Sequence, residues 1–138
     1  MIVIDEYLAV RVLGGDWPAS LPDDEVVLTA SRHWRLLQRV HAPGSGQLSR
    51  LLAALPGGDL GVIRHPHPEV LQVLDPRPLL DDAAAIAARF GTTGLLIAET
   101  LAAGVAYGGD LWFGLDANVG RLVERAAPQL GITIHVVA

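Results

Sequence analysis

A chain of 138 residues that is 51% apolar and 18% charged suits one domain with one buried core, and excludes general disorder. Its net charge of −5 argues against a protein held on nucleic acid by overall charge, and leaves an enzyme on RNA or DNA open only where a bound cation or a local basic face offsets the acidity. Cysteine is absent, which excludes disulfides and thiolate metal sites, and every one of the ten basic residues is Arg.

The opening Met1-Ile2-Val3-Ile4-Asp5-Glu6 turns acidic too soon for a secretory signal. No uncharged apolar run reaches the ~20 residues that a bilayer span needs, so the expectation is a cytoplasmic protein with no membrane contact. Ile2 to Ile4 reads as a fully buried strand ending at Asp5. Tyr7 to Leu13 reads as a helix stopped by Gly14-Gly15, and Glu25 to Thr29 as a second strand. Ser31 stands where the cap of the next helix is expected. In that helix Trp34, Leu36, Leu37 and Val40 are assigned to the apolar side, and Arg32, Arg35 and Arg39 to the solvated side.

Pro43 to Gly46 is a break, followed by a short helix over Leu48 to Leu55. From Leu60 to Pro78 the pattern is least regular: Leu60 to Ile63 and Val70 to Leu74 both have strand character, interrupted by His65-Pro66-His67-Pro68 and Asp75-Pro76-Arg77-Pro78. Leu79, Ala83, Ile86 and Phe90 then recur at helical spacing as far as Gly91. Leu95 to Tyr107 is apolar on nearly every face, which predicts a helix buried on more than one side. Leu111 to Phe113 is a strand, Val119 to Leu130 an amphipathic helix, and Ile132 to Val137 the closing strand. Strands alternating with helices, joined by connections too long for hairpins, predict one domain over residues 1–138: an α/β fold, a three-layer α/β/α sandwich on a mostly parallel sheet.

Ligands of parallel sheets bind beyond the carboxyl ends of the strands. Asp5 follows the first strand directly, Asp116 follows Leu111 to Phe113, and Glu99 lies near the start of the apolar helix, a costly place for a charge without a partner. Each acid alone also reads as an ordinary polar residue at a strand end or on a helix. Brought together they would repel, raising their pKa values unless a cation sat among them, and Mg²⁺ or Mn²⁺ is the matching hard cation. Arg32, Arg35 and Arg39, extended by Arg50, read either as a track for an RNA phosphate backbone or as a solvated helix face. His65 and His67 read as an exposed turn, His33 and His41 as packing residues, and Trp112 and Phe113 as core. Gly44-Ser45-Gly46 lacks the Lys of a phosphate loop and reads as a turn.

The chain resembles the PIN-domain family of metal-dependent ribonucleases, many of them toxins of bacterial toxin–antitoxin pairs. Met1 to Asp5 looks like the family's opening strand with its first catalytic Asp. Ala98-Glu99-Thr100 through Leu111 to Asp116 and on to Ile132 to Val137 follows its order of acid-bearing helix, strand, acid, helix and last strand. These blocks cover about half of the chain, and the middle matches only in its order of elements. The resemblance implies a PIN-like sandwich in which Asp5, Glu99 (in place of the usual Asp) and Asp116 are catalytic and hold Mg²⁺ or Mn²⁺. It further implies an RNA substrate and a cognate antitoxin; the apolar helix at 95–107 separately offers a face for a homodimer, which suits an active or an inactive protein. One departure stands out. The Glu that the family carries on its second helix aligns with Arg35, and no acid lies between Thr29 and Pro56. Arg35 then either holds substrate phosphate beside a weakened metal site, or replaces the cation and leaves an inactive protein-interaction module. A small-molecule-binding α/β domain is a third class, without a glycine-rich phosphate loop to support it.

Overall fold

The computed structural model describes residues 1–92 and 94–137. Its centre is a five-stranded sheet, all parallel, built from β1 (Ile2–Ile4), β2 (Val26–Leu28), β3 (Gln72–Val73), β4 (Asp110–Phe113) and β5 (Thr133–Val136) in the order β3-β2-β1-β4-β5. The inner strands are continuous apolar runs because both of their faces are covered. Ile2, Ile4, Val26 and Leu28 point into one core, whereas Val3, Val27, Leu111 and Phe113 point into the other.

The helices sort by chain order. Helices α1 (Glu6–Leu13), α2 (Ala30–His41), α3 (Gln47–Ala53) and α4 (Gly61–Arg64) contribute to the first core. Helices α5 (Leu80–Phe90), α6 (Leu95–Ala106) and α7 (Arg121–Gln129) contribute to the second. Right-handed crossovers account for the split. The chain lays down β1, β2 and β3 in one direction, then jumps back across β1 and lays down β4 and β5 in the other, so the covering helices change face. The expected three-layer α/β/α sandwich is thus the observed architecture. Its topological switch point falls between β1 and β4, where Val3 pairs with Leu111 and Ile4 with Trp112.

Four local expectations are corrected. Leu60 to Ile63 is not a strand: Gly61–Arg64 forms the short helix α4, and only Gln72–Val73 of the next segment pairs with β2. The cap of α2 is Thr29, not Ser31. On α2 the buried stripe is Arg32, Leu36 and Val40, spaced four apart, while Trp34 is 61% exposed. His41 is exposed, and His33 meets the carbonyl of Ile63 at 2.7 Å. Most of the apolar character of α6 is consumed inside the chain, since Ala98 to Gly104 are all buried, while Leu95 and Val105 near its two ends stay exposed. Among the described residues no helix is long and apolar enough to cross a membrane.

One glycine sets how closely β4 approaches α1. A Cβ on Gly114, the residue after β4, would stand 2.9 Å from Tyr7 Cβ and 3.0 Å from the Leu8 backbone nitrogen. Backbone cannot step aside as a side-chain end can. Gly114→Ala is therefore expected to destabilise the fold by about 1–3 kcal/mol, through overpacking and a displaced turn. Thermal unfolding should show a drop of several degrees; an unchanged melting temperature would mean that α1 shifts freely against β4.

Candidate functional site

At the switch point the chain buries charge. Asp5, Glu6, Arg32, Glu99 and Thr100 are each at most 2% exposed, in an interior that is otherwise almost wholly apolar. Buried ions are tolerated only when paired and hydrogen-bonded, and the partners come from the ends of β1 and β4, the turn over Asp116–Asn118 and the amino-terminal halves of α1, α2 and α6.

Asp5 caps α1, and its Oδ1 accepts from the Leu8 N–H at 2.9 Å and from the Gly114 N–H at 3.0 Å. Its Oδ2 accepts from Asn118 Nδ2 at 2.8 Å. Glu6, the next residue, is clasped by two guanidiniums. Arg32 Nη1 donates to Oε2 at 2.7 Å, and Arg35 Nη1 donates to Oε1 at 2.7 Å. Asn118 closes the ring: its Nδ2 also donates to Glu6 Oε1 at 2.9 Å, and its Oδ1 accepts from Arg35 Nη1 at 3.0 Å. Arg32 runs on across the strand ends, its Nε donating to Thr100 Oγ1 at 2.8 Å and its guanidinium lying 5.4 Å from the centre of the Phe113 ring.

Glu99 does different work. The side chain of Thr29 makes no capping hydrogen bond, and the first-turn N–H of Ser31 is satisfied from another helix. Glu99 Oε1 accepts from Ser31 N at 2.9 Å and from Ser31 Oγ at 2.7 Å. The acid therefore joins α6 in one layer to the amino end of α2 in the other, where the helix dipole favours negative charge. Its second oxygen, Oε2, is buried without a hydrogen-bond partner.

The expected site residues thus meet different fates. Asp5 and Glu99 both lie in the buried polar region, whereas Asp116 is exposed, on a 3₁₀ turn over Asp116–Asn118, with Asn118 turned inward instead. Arg32 is fully buried and cannot present itself to a phosphate backbone. Arg35 is 35% exposed, and Arg39 and Arg50 are on the surface. Glu6 and Asn118, the hub and its bridge, were not among the sequence candidates. A Glu in a helix's first turn reads as a solvated dipole partner, so its only sequence signal was the charged run Asp5-Glu6 placed directly after a buried strand.

The arrangement does not fit a divalent cation. Hard cations need free carboxylate oxygens. Both oxygens of Asp5 and both of Glu6 already accept from protein donors. Among the described residues no three His, Cys, Asp or Glu side chains gather as a metal set. What the fold and the site define is an α/β sandwich with a guanidinium-compensated acid cluster at its switch point. No protein-family model matches this sequence, and no curated protein matches it.

Burial pushes the Asp5 carboxyl up from 3.8 to about 6, with the neighbouring Glu6 charge adding to the effect. For Glu6 burial is the largest influence and pulls upward too, but the Arg32 and Arg35 guanidiniums, Arg32 foremost, together hold the carboxyl below its usual range. The two therefore act in opposite senses. Asp5 binds its proton more tightly folded than unfolded, so its contribution favours the fold at low pH and is lost as pH rises through about 6. Glu6 stabilises at neutral pH and loses that contribution only in stronger acid. Urea unfolding between about pH 4 and pH 7 should show wild type losing roughly 1–3 kcal/mol relative to Asp5→Asn as pH rises. Parallel curves would mean that Asp5 stays ionised throughout.

The buried pair sets a second expectation. Arg32→Met removes one of Glu6's two cations from a fully desolvated position and should cost about 3–5 kcal/mol. Arg35→Met, at a partly exposed position where water replaces the lost donor, should cost clearly less. Equal losses in urea unfolding would contradict the assignment of Arg32 as the main counter-ion.

Proposed function

We propose that this chain is a PIN-like module without metal-dependent catalysis, in which the guanidiniums of Arg32 and Arg35 take the place of a divalent cation and the domain works by binding. The observation that carries this reading is the Glu6–Arg35–Asn118 ring, with Arg32 on the other carboxylate oxygen. A permanent cation answers the same electrostatic need as a metal at Glu6, because it pairs a carboxylate that burial would otherwise drive toward protonation. It supplies no Lewis acid and activates no water. The aligned position of Arg35, where the PIN-type pattern carries a Glu, is consistent with the same exchange. A homodimer remains compatible with this reading, although the apolar face of α6 no longer argues for one.

The competing reading is a Mg²⁺- or Mn²⁺-dependent ribonuclease, a toxin paired with an antitoxin. The observation in its favour is that Asp5 and Glu99 both lie near the carboxyl ends of parallel strands, where ligands of such sheets bind. It requires Asp116 to turn inward and the Arg35 pair to open.

Thermal unfolding with and without millimolar Mn²⁺ separates the two. A ligand at ~100 times its dissociation constant adds about 2.7 kcal/mol to the native state, a readily visible shift. The expected result is no shift, together with no RNA cleavage that depends on Asp5. A Mn²⁺-induced rise in melting temperature that disappears in Asp5→Asn would establish the metal site and overturn the proposal.

A further inference from the structure

Beside the Arg35–Glu6 pair, α2 from Ala30 to Gln38 and α6 from Leu95 to Glu99 frame an open groove of about 710 Å³. Its walls are apolar, formed by Trp34, Leu95, Leu96 and Pro76, and its polar residues include Arg35 and Glu99. Trp34 and Leu95 are 61% and 48% exposed, two of the largest apolar surfaces that the fold leaves uncovered. The size lies within the range of small-molecule sites, which combine an apolar lining with a few placed polar groups.

The charges along this groove are unequal. Arg35 is paired with Glu6, a carboxylate that it shares with Arg32. Glu99, 1% exposed, forms no ion pair among the described residues. Ser31, which also lines the groove, occupies only Oε1, and Oε2 is left without a donor. Of the three buried carboxylates Glu99 alone has such an oxygen. A buried acceptor without a donor is expensive, and an N–H-bearing cation satisfies it. An indole face at the same groove suits the same kind of ligand, since Trp attracts ammonium groups most strongly of the aromatic side chains.

We infer that this groove binds a small molecule consisting of an apolar body and a protonated amine, the amine donating to Glu99 and the body packing against Trp34, Leu95 and Pro76. The inference rests on the non-catalytic reading in one respect: a divalent ion at Asp5 and Glu99 would occupy the oxygen assigned to the amine.

The test is calorimetric titration of the full chain with 2-phenylethylamine, tryptamine and hexylamine, in chelator and again in millimolar Mn²⁺, with 3-phenylpropionate as the carboxylate counterpart. Saturable binding of at least one amine is expected, with 3-phenylpropionate at least tenfold weaker and the amine's affinity reduced tenfold or more in Trp34→Ala and in Glu99→Gln. Should Glu99→Gln fail to fold, because Glu99 also caps α2, Trp34→Ala and the amine–carboxylate comparison still decide. No saturable binding of any amine, tighter binding of the carboxylate, or affinity untouched by Trp34→Ala overturns the inference. So does a dimer that buries Trp34, shown by sedimentation together with its loss in Trp34→Ala. The two proposals fail differently. Mn²⁺ that competes with a bound amine sinks the non-catalytic reading, whereas absent amine binding with inert Mn²⁺ sinks only this one.

Discussion

A carboxylate with no contact with water, Glu6, governs the architecture around it. It sits at the first position of α1, immediately past the central strand, and needs two positive charges and an amide to be tolerated there. Those partners come from α2 and from the turn after β4, so satisfying one side chain fixes the positions of three segments. Asp5 next to it does the same for the backbone by holding the N–H groups of Leu8 and Gly114 on one oxygen. The absence of a Cβ on Gly114 is what lets β4 come close enough for that bond.

The consequence for the layers is direct. Helices α2 and α6 belong to opposite faces of the sheet, yet they meet past the strand ends through Ser31 with Glu99 and Arg32 with Thr100. Apolar packing holds each helix to its own face and is nondirectional. The polar links set how far the helices slide along the strands, because a donor and acceptor at 2.7–2.9 Å tolerate little displacement.

Much of the framework was legible in the residues. Continuous β-branched runs such as Ile2 to Ile4, and the apolar repeat of α5 from Leu79 to Phe90, carry their own periods and led to the correct sheet and layers. The stretch between Leu60 and Pro78 was not, since β3 pairs over only two residues and a helix of four residues has no periodicity to read. The site was half legible. Asp5 and Glu99 stood out because an acid beside a buried strand or within an apolar helix has to be explained. Arg32 was misread because its charge was given more weight than its spacing. It lies four residues before Leu36 and eight before Val40, on the buried stripe, and only a partner distant in sequence makes that position tenable. Asn118 gave no signal, since a turn Asn is expected in any loop of this kind.

The polar cluster is also a statement about when the molecule becomes itself. Its bonds between side chains join residues 26 to 113 positions apart, from Glu6 with Arg32 to Asp5 with Asn118. Closing such separations is slow, and parallel strands add to the delay. During synthesis Glu6 and Arg32 leave the ribosome long before Asn118 and Gly114, so the first charges wait, hydrated, for the last quarter of the sequence. The interior they finally enter is completed late, and a chain arrested before β4 would hold its acids in water.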